Sequence, residues 1–140
     1  MAIRDQIVLT DLDSTRLRSV ASELVGQHGE AHSRGLELHE LLDCADVIPA
    51  GAVAPDVVTM NSTVTYDDGS DGPVATITLV YPEQADAALG RVSVLSPLGL
   101  ALIGMRAGEQ TTFGTPRDGE RVVRVRKVLR QPKVAGERTS

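Results

Sequence analysis

The stretch that decides the fold is Val92-Ser93-Val94-Leu95-Ser96-Pro97-Leu98-Gly99-Leu100-Ala101-Leu102-Ile103-Gly104-Met105-Arg106-Ala107-Gly108. A run of β-forming residues ends at Leu95. Ser96 is then placed to cap a helix, and Pro97 takes the first helical position, where its missing N–H costs nothing. An apolar helix is predicted over residues 98–103, and Gly104 supplies the left-handed residue that ends it. The stretch therefore predicts a strand, a short helix and a turn into another strand.

Residues on both sides of this stretch follow the pattern of half-buried strands, in which apolar and polar residues alternate. The pattern covers residues 58–66 and 75–81 before it, and residues 110–115 and 120–129 after it. Residues 67–72 are rich in Asp, Gly and Ser and predict a solvated hairpin turn between the first two strands. The sequence from residue 55 onward therefore predicts an antiparallel β domain that contains one short helix.

The N-terminal part of the chain shows helical periodicity instead. A short strand over residues 6–10 is followed by a helix that Asp11 or Asp13 can cap. Its apolar positions recur with the spacing of one helical face, and they are Leu17, Val20, Ala21, Leu24 and Val25. Residues 26–35 contain three glycines and predict a loop. A second helix follows, with Leu38, Leu41, Leu42 and Ala45 on one face, so the two helices are expected to form an antiparallel hairpin.

Three motifs in this order and spacing resemble the Gre/Rnk family of bacterial transcription factors. They are the Ser-Pro helix unit quoted above, Val58-Thr59-Met60-Asn61-Ser62, and Leu79-Val80-Tyr81-Pro82. The resemblance implies an α+β fold, with a short N-terminal antiparallel helical hairpin followed by an FKBP-like antiparallel β domain with one short helix. The sequence is thus predicted to form three segments, namely residues 1–54 for an N-terminal strand and the helical hairpin, residues 55–132 for the family's β domain, and a disordered tail over residues 133–140.

The resemblance further implies a docking surface for RNA polymerase near the rim of the secondary channel. Ser96 and Pro97 match the family motif, whereas Leu95 stands where Gre proteins commonly carry an acidic residue. The residues expected to bind polymerase are Leu95, Ser96, Pro97, Leu98 and Leu100. Because Ser96 and Pro97 are also a helix start, a purely structural role remains the alternative. Leu98 and Leu100 cannot both point inward, so one of them is expected to be partly exposed.

Charge is distributed unevenly along the chain, which has a formal net charge of −5. Residues 121–138 hold seven bases and one acid, whereas residues 1–50 hold nine acids and four bases. Arg124, Arg126 and Arg130 could form a patch that steers the protein toward an acidic partner, and a solvated strand face is the alternative. Arg124 and Arg126 alternate with valines and are expected to point outward. One Phe, two Tyr and no Trp leave little for base stacking, so direct sequence-specific nucleic-acid binding is not expected.

Composition predicts a folded protein located in the cytoplasm. The 140 residues suffice for one globular domain with an appendage, no apolar run is long enough to span a membrane, and the N-terminus lacks the apolar core of a signal peptide. Cys44 is the one cysteine, so no internal disulfide can form, and its apolar neighbours predict a buried, inert thiol. A monomer without membrane contact is expected.

No catalytic, cofactor or metal site is predicted, so the favoured function is a non-enzymatic regulator that binds RNA polymerase without stimulating transcript cleavage. The chain lacks a phosphate loop, a dinucleotide fingerprint and a nucleophilic triad. His28 and His32 are spaced for one helical face, but the glycines around them predict solvated loop histidines. One alternative is a vestigial FKBP-like prolyl isomerase or chaperone, against which the low aromatic content argues. The other is a true Gre cleavage factor, against which the short hairpin argues.

Overall fold

A computed structural model describes residues 2–3, 7–70, 72–115 and 119–131. The predicted tail over residues 133–140 lies outside these ranges. The mixed α+β class with N-terminal helices is confirmed. The strands are β1 (Ala2–Ile3), β2 (Val8–Thr10), β3 (Asp46–Ile48), β4 (Thr63–Asp67), β5 (Ala75–Val80), β6 (Arg91–Ser93), β7 (Glu109–Thr115) and β8 (Gly119–Arg130). The helices are α1 (Asp11–Val25), α2 (Glu30–Asp43) and α3 (Pro97–Leu102).

Six strands form one curled sheet in the order β1-β7-β8-β4-β5-β6. The pairs β4/β5, β4/β8 and β7/β8 are antiparallel, as the strand pattern predicts. The prediction of a wholly antiparallel domain is wrong, however, because β6 runs parallel to β5 and β1 runs parallel to β7. Between β5 and β6 the chain crosses back through two short 3₁₀ turns, Pro82–Gln84 and Ala87–Leu89, and so enters β6 in the same direction as β5.

Thr10, and neither of the two predicted aspartates, caps α1. Its Oγ1 accepts a hydrogen bond of 3.0 Å from the backbone N–H of Asp13. That arrangement leaves the Asp13 carboxylate free to reach the sheet, where it accepts the N–H of Met60 at 3.1 Å and the hydroxyl of Tyr81 at 3.4 Å. Burial raises the pKa of Asp13. The guanidinium of Arg16, one turn further along α1, lies 4.0 Å from the centre of the Tyr81 ring.

The second helix begins earlier than predicted, at Glu30 directly after Gly29, so the loop prediction for residues 30–35 is wrong. Gly35 is buried against α1, and a Cβ there would lie 2.8 Å from the Val25 nitrogen and 2.9 Å from the Ala21 carbonyl oxygen. The glycine therefore permits close helix packing where the sequence suggested a flexible segment. Contacts of Arg18 with Asp43 and of Val25 with His32 show that the helices run in opposite directions.

One continuous hydrophobic core joins the helices to the sheet. It contains Leu17 and Ala21 from α1, Leu38 and Leu42 from α2, and core-facing residues of the sheet such as Leu79. Between the helices and the large sheet, β3 pairs parallel with β2 and Ala50–Ala52 forms a 3₁₀ turn. Within the described ranges no helix is long and apolar enough to cross a membrane.

The prediction of a buried thiol is wrong, because Cys44 caps the end of α2 and is exposed.

A buried ion cluster joins β4 to β8. The Asp67 side chain is fully inaccessible and accepts two hydrogen bonds from Arg124, at 3.2 and 2.9 Å, and one of 2.7 Å from Arg126. The backbone N–H of Gly69 adds a further bond of 2.8 Å. A register shift between Thr65 and Tyr66 places both arginines near the same carboxylate. The expectation that both point outward is therefore wrong for Arg124, whose side chain is 13% exposed.

Replacing Asp67 with asparagine should reduce stability in a pH-dependent way. The hydrogen bonds from Arg124 and the other donors hold the pKa of Asp67 far below its usual range. A depressed carboxyl pKa stabilises the fold above the unfolded-state pKa of about 3.9, and that contribution is lost as the pH falls through the folded-state value. Urea unfolding of Asp67→Asn should show a clear loss of unfolding free energy at pH 7, which shrinks below about pH 4.

The matched control is Asp68→Asn, which changes an exposed carboxylate that accepts hydrogen bonds from Ser70 in the same turn. Its unfolding free energy should stay close to that of the unsubstituted protein. Equal stability of Asp67→Asn and the unsubstituted protein at pH 7 would show that the buried cluster does not hold β4 to β8.

Candidate binding surface

The Ser96-Pro97 turn is held in place by a closed set of hydrogen bonds. The hydroxyl of Ser96 accepts the N–H of Gly99 at 3.0 Å and donates to the carbonyl of Ser93 at 2.8 Å. The hydroxyl of Ser93 in turn accepts the N–H of Leu95 at 3.0 Å. The predicted cap at Ser96 and the predicted Pro97 at the helix start are both confirmed. Because each polar group has its partner, the turn is preorganised.

Gly99 allows α3 to lie directly on the end of β6. A Cβ at this position would lie 2.1 Å from the carbonyl oxygen of Ser93 and 2.8 Å from the Cα of Val94. No role was predicted for Gly99 from the sequence. A glycine inside a helix lowers the stability of the helix by about 1 kcal/mol relative to alanine. Gly99 within the predicted helix was therefore a sequence signal that close packing requires a residue without a side chain. Gly104 ends the helix as predicted, with a φ of +81°, and its N–H donates to the carbonyl of Val58 at 2.9 Å.

The five predicted docking residues lie together but face two cavities. A groove of about 920 Å³ separates residues 95–100, the Ser-Pro segment, from α2. It is lined by Leu95, Pro97 and Leu100. Ser96, Pro97 and Leu98 line a second cavity of about 540 Å³ beside β4 and β7. Leu98 and Leu100 are both half-buried, so neither points fully inward, in agreement with the expectation that at least one is partly exposed. Pro97 forms the ridge between the two cavities.

The groove has one wall from each half of the molecule. On α2 it is lined by Glu30, Ser33, Arg34, Glu37, Glu40, Leu41 and Cys44. The facing wall is mostly apolar and consists of Ile7, Leu95, Pro97, Leu100, Ala101, Thr112, Phe113 and Gly114. Half-buried apolar residues in a groove are a common feature of binding sites. The contribution of α2 was not predicted, because the first residues of this wall fall in the segment read as a loop.

Arg34 connects the two walls. Its guanidinium Nη1 donates a hydrogen bond to the backbone carbonyl of Leu95, and its Nη2 lies 3.9 Å from the carboxylate of Glu30. A single cationic side chain thus fixes the Ser-Pro segment relative to α2. Nothing in the sequence pattern indicated this contact, which joins residues 61 positions apart.

The second cavity holds two of the three aromatic side chains. Tyr66 and Phe113 line it together with Leu98 and Val123, and Arg121 lies at the same cavity. Burial raises the pKa of Tyr66, and the positive charge of Arg121 opposes that shift. Tyr81, the third aromatic residue, is 2% exposed and belongs to the core. Two of the three aromatic side chains thus border this cavity, and the third is part of the core.

The two histidines that were predicted to lie in a solvated loop, His28 and His32, have different surroundings. His32 lies on α2, and its Nδ1 is 2.8 Å from the carbonyl oxygen of Val25, so it is not a loop histidine. His28 remains in the connection between the helices and is exposed. Within the described ranges, no three His, Cys, Asp or Glu residues are grouped so that they could hold a metal ion.

The expected steering patch is only partly available to a partner. Arg124 and Arg126 are bound to Asp67, and Arg126 keeps 43% of its side chain exposed. Arg130, at the end of β8, is exposed. Electrostatic steering by these residues stays a prediction, and Arg130 is the member at which it can be tested without disturbing the buried cluster.

Comparison with known proteins gives consistent matches. The family model "Transcription elongation factor, GreA/GreB, C-term" matches residues 53–130. The "Regulator of nucleoside diphosphate kinase" of Escherichia coli (strain K12) is 33% identical over 134 residues, 96% of each chain. "Transcription elongation factor GreA" of Geobacillus kaustophilus (strain HTA426) is 34% identical over 66% of this chain and 58% of its own length.

A solved structure, "Prokaryotic transcription elongation factor GreA/GreB from Nitrosomonas europaea", has a TM-score of 0.70 and 30% identity to this chain. It covers 89% of this chain and 98% of its own. The similarity thus includes the helices as well as the sheet.

Replacing Gly99 with alanine should disrupt the binding surface. The added methyl group would meet backbone atoms of Ser93 and Val94, which cannot move aside as a flexible side chain could. Overpacking of this kind typically costs about 1–3 kcal/mol, and we expect a value at the upper end. Gly51→Ala is the control, since a Cβ there meets nothing within 4 Å. Thermal unfolding measures both variants, and equal midpoints would contradict the close contact.

Proposed function

The chain belongs to the GreA/GreB family of transcription elongation factors, and from that membership we propose that it is a regulator that binds RNA polymerase. It docks near the secondary channel through Leu95, Ser96, Pro97, Leu98 and Leu100, and it does not stimulate transcript cleavage. It is not itself an enzyme. By occupying the mouth of the channel it competes with other factors that enter there.

One observation supports the proposal: the turn at Ser96 and Pro97 is fixed by hydrogen bonds and yet is partly open to solvent. It lies inside residues 53–130, the region that matches the family model. Leu95, Pro97 and Leu100 are half-buried although they border the groove, so they offer apolar surface to a partner. A preorganised surface loses less conformational entropy on association than a mobile one, and this favours binding. Leu95 would then act as an apolar anchor in place of the acidic residue common in Gre proteins.

The absence of cleavage stimulation is proposed from the length and charge of the helical end. The resemblance to Gre factors implies that they deliver paired carboxylates to a catalytic magnesium ion at the tip of a long coiled coil. In this chain α1 has 15 residues, which span only about 22 Å. The connection from Gly26 to Gly29 contains no carboxylate, and Glu30, at the start of α2, lies 3.9 Å from the Arg34 guanidinium.

The name of the Escherichia coli relative suggests a further partner to test. That protein is described as a regulator of nucleoside diphosphate kinase. An effect on such a kinase could be direct or could follow from altered transcription. Purified kinase should therefore be included as a second bait beside core polymerase, and capture by polymerase alone is expected.

Substitution of both Ser96 and Pro97 by alanine should weaken binding to core RNA polymerase at least tenfold, about 1.4 kcal/mol. The change removes the cap hydroxyl and the proline ridge at the centre of the surface. Binding is measured by pull-down and by titration with labelled protein, followed by competition with a Gre factor. Cooperative thermal unfolding establishes that the variant is folded. A folded variant with unchanged affinity would refute the docking assignment.

The protein should leave backtracked transcription complexes uncleaved. Purified protein is added to such complexes with magnesium, and RNA cleavage is followed over time beside a Gre factor as positive control. The short helices and the lack of a paired carboxylate at their connection are the reasons for the expected negative result. Cleavage that disappears in the Glu30→Ala variant would instead identify this chain as a cleavage factor.

A further inference from the structure

The face of the sheet that points away from the hydrophobic core carries two rows of hydroxyl groups. Val64 and Ile77 belong to the core, and because side chains alternate along a strand, the threonines on either side of them occupy the opposite face. These threonines pair across β4 and β5, Thr63 with Thr78 and Thr65 with Thr76. The first pair shares a hydrogen bond of 2.9 Å between its hydroxyl oxygens. None of the four threonines is buried, so both rows are open to solvent.

Both rows of threonines end in cations. Arg130 of β8 pairs with Thr63, and Lys127 of the same strand pairs with the second row. At the other end of the first row, Arg91 of β6 pairs with Thr78. All three cations are exposed, and within the described ranges their side chains make no hydrogen bond or ion pair. We call the surface formed by the four threonines and these three cations the outer face.

An irregularity in the pairing of β4 with β8 brings two of the cations onto the outer face. Lys127 and Arg130 are three positions apart, and on a regular strand they would point to opposite faces. The register shift between Thr63 and Val64 adds one residue to β8 and returns both cations to the same face. The positive charge of the outer face is therefore a consequence of the strand register.

The outer face is locally positive although the whole chain has a formal net charge of −5. Asp67 is the single acid of β4, β5 and β6, and its carboxylate is already bound by Arg124 and Arg126. Asp86, whose backbone bridges to β6, uses its carboxylate to accept a backbone N–H at 3.1 Å in the following 3₁₀ turn. Glu120 lies at the opposite end of β8, where it pairs with β7.

We propose that the outer face binds the sugar-phosphate backbone of duplex DNA without reading its sequence. Phosphate oxygens accept hydrogen bonds from guanidinium, ammonium and hydroxyl groups, and the two rows present all three. Lys127 and Arg130 pair with positions about 7 Å apart on β4, about two nucleotides along one DNA strand. Three strand spacings place Arg91 about 14 Å away, comparable with the width of the major groove, about 12 Å. The β8 cations can thus contact one DNA strand while Arg91 contacts the other.

Duplex DNA fits the outer face better than two other polyanions do. Single-stranded nucleic acid is bound largely by the stacking of its bases on aromatic side chains, and no aromatic residue belongs to the outer face. A duplex keeps its bases stacked and presents its phosphates. An acidic protein segment would need an apolar or aromatic anchor at the centre of the contact, where the outer face has threonines.

The outer face is separate from the polymerase-docking segment. None of its residues lines the groove beside α2 or the cavity beside β4 and β7. The inference therefore does not rest on the proposed function, and it can be tested with the protein alone.

Fluorescence polarisation of a labelled duplex of about 20 base pairs tests the proposal. Binding at low salt should weaken as salt rises, and the slope of log K against log salt should be about −3, because three cations each neutralise one phosphate. Arg91→Gln, Lys127→Gln and Arg130→Gln should each weaken binding about threefold, equally for two unrelated sequences, and each should reduce the magnitude of the slope by about 1.

The matched control is Arg106→Gln, which removes the charge of an exposed arginine in the turn between α3 and β7, outside the outer face. It should bind DNA within about twofold of the unsubstituted protein. Thr78→Val tests the hydroxyl rows, since it keeps the branched side chain. Binding should weaken about threefold with an unchanged salt slope, because a hydrogen bond is lost and no charge. Cooperative urea unfolding establishes that each variant is folded.

The outcomes decide the proposal independently of polymerase binding. Undetectable binding of the duplex at low salt, or equal binding by the variant that combines all three cation substitutions, would refute it. Tighter binding of the single strand, or equally strong binding of polyglutamate, would overturn the assignment to duplex DNA. The combined Ser96→Ala and Pro97→Ala variant should bind DNA normally, and its failure to do so while folded would contradict a separate surface. A protein that binds DNA and not polymerase would refute the proposed function alone.

Discussion

The contact between Gly99 and the end of β6 is the constraint on which the binding surface depends. A Cβ at Gly99 would lie 2.1 Å from the Ser93 carbonyl oxygen, so the first turn of α3 can rest on the strand only because this residue has no side chain. That approach lets the hydroxyl of Ser96 reach both the Gly99 N–H and the Ser93 carbonyl. Pro97 and its apolar neighbours are thereby presented on a rigid turn between two cavities.

The rest of the surface depends on how the helices are held to the sheet. A shared hydrophobic core joins the helices to the sheet, and the half-buried carboxylate of Asp13 fixes their relative position by accepting the N–H of Met60. Arg34 on α2 also donates a hydrogen bond to the carbonyl of Leu95 and so links the helix to the Ser-Pro segment. The family match covers only residues 53–130, yet the groove exists because α2 lies against that region. The candidate surface therefore lies at the junction of the two halves.

The sequence predicted correctly those features that depend on interactions between residues a few positions apart. The cap at Ser96, the helix stop at Gly104 and the alternation of Val123 and Val125 with arginines were all predicted from neighbouring residues. Motif order was enough to identify the family. Glycine at position 35 misled the analysis, because the same residue type serves flexible loops and close helix packing, and only the position of α1 distinguishes them.

The amino-acid sequence by itself thus determined the α+β class, the strand and helix unit around Ser96, and the family to which the chain belongs. Tertiary structure alone decided that Arg124 is buried against Asp67, that Cys44 is exposed, and that Arg34 reaches Leu95. The physical reason is the separation along the sequence of the residues that interact. Capping and alternation arise from interactions between residues a few positions apart, whereas an ion pair or a groove wall joins positions 57 or 61 residues apart. Such contacts exist only after the core has brought the elements together.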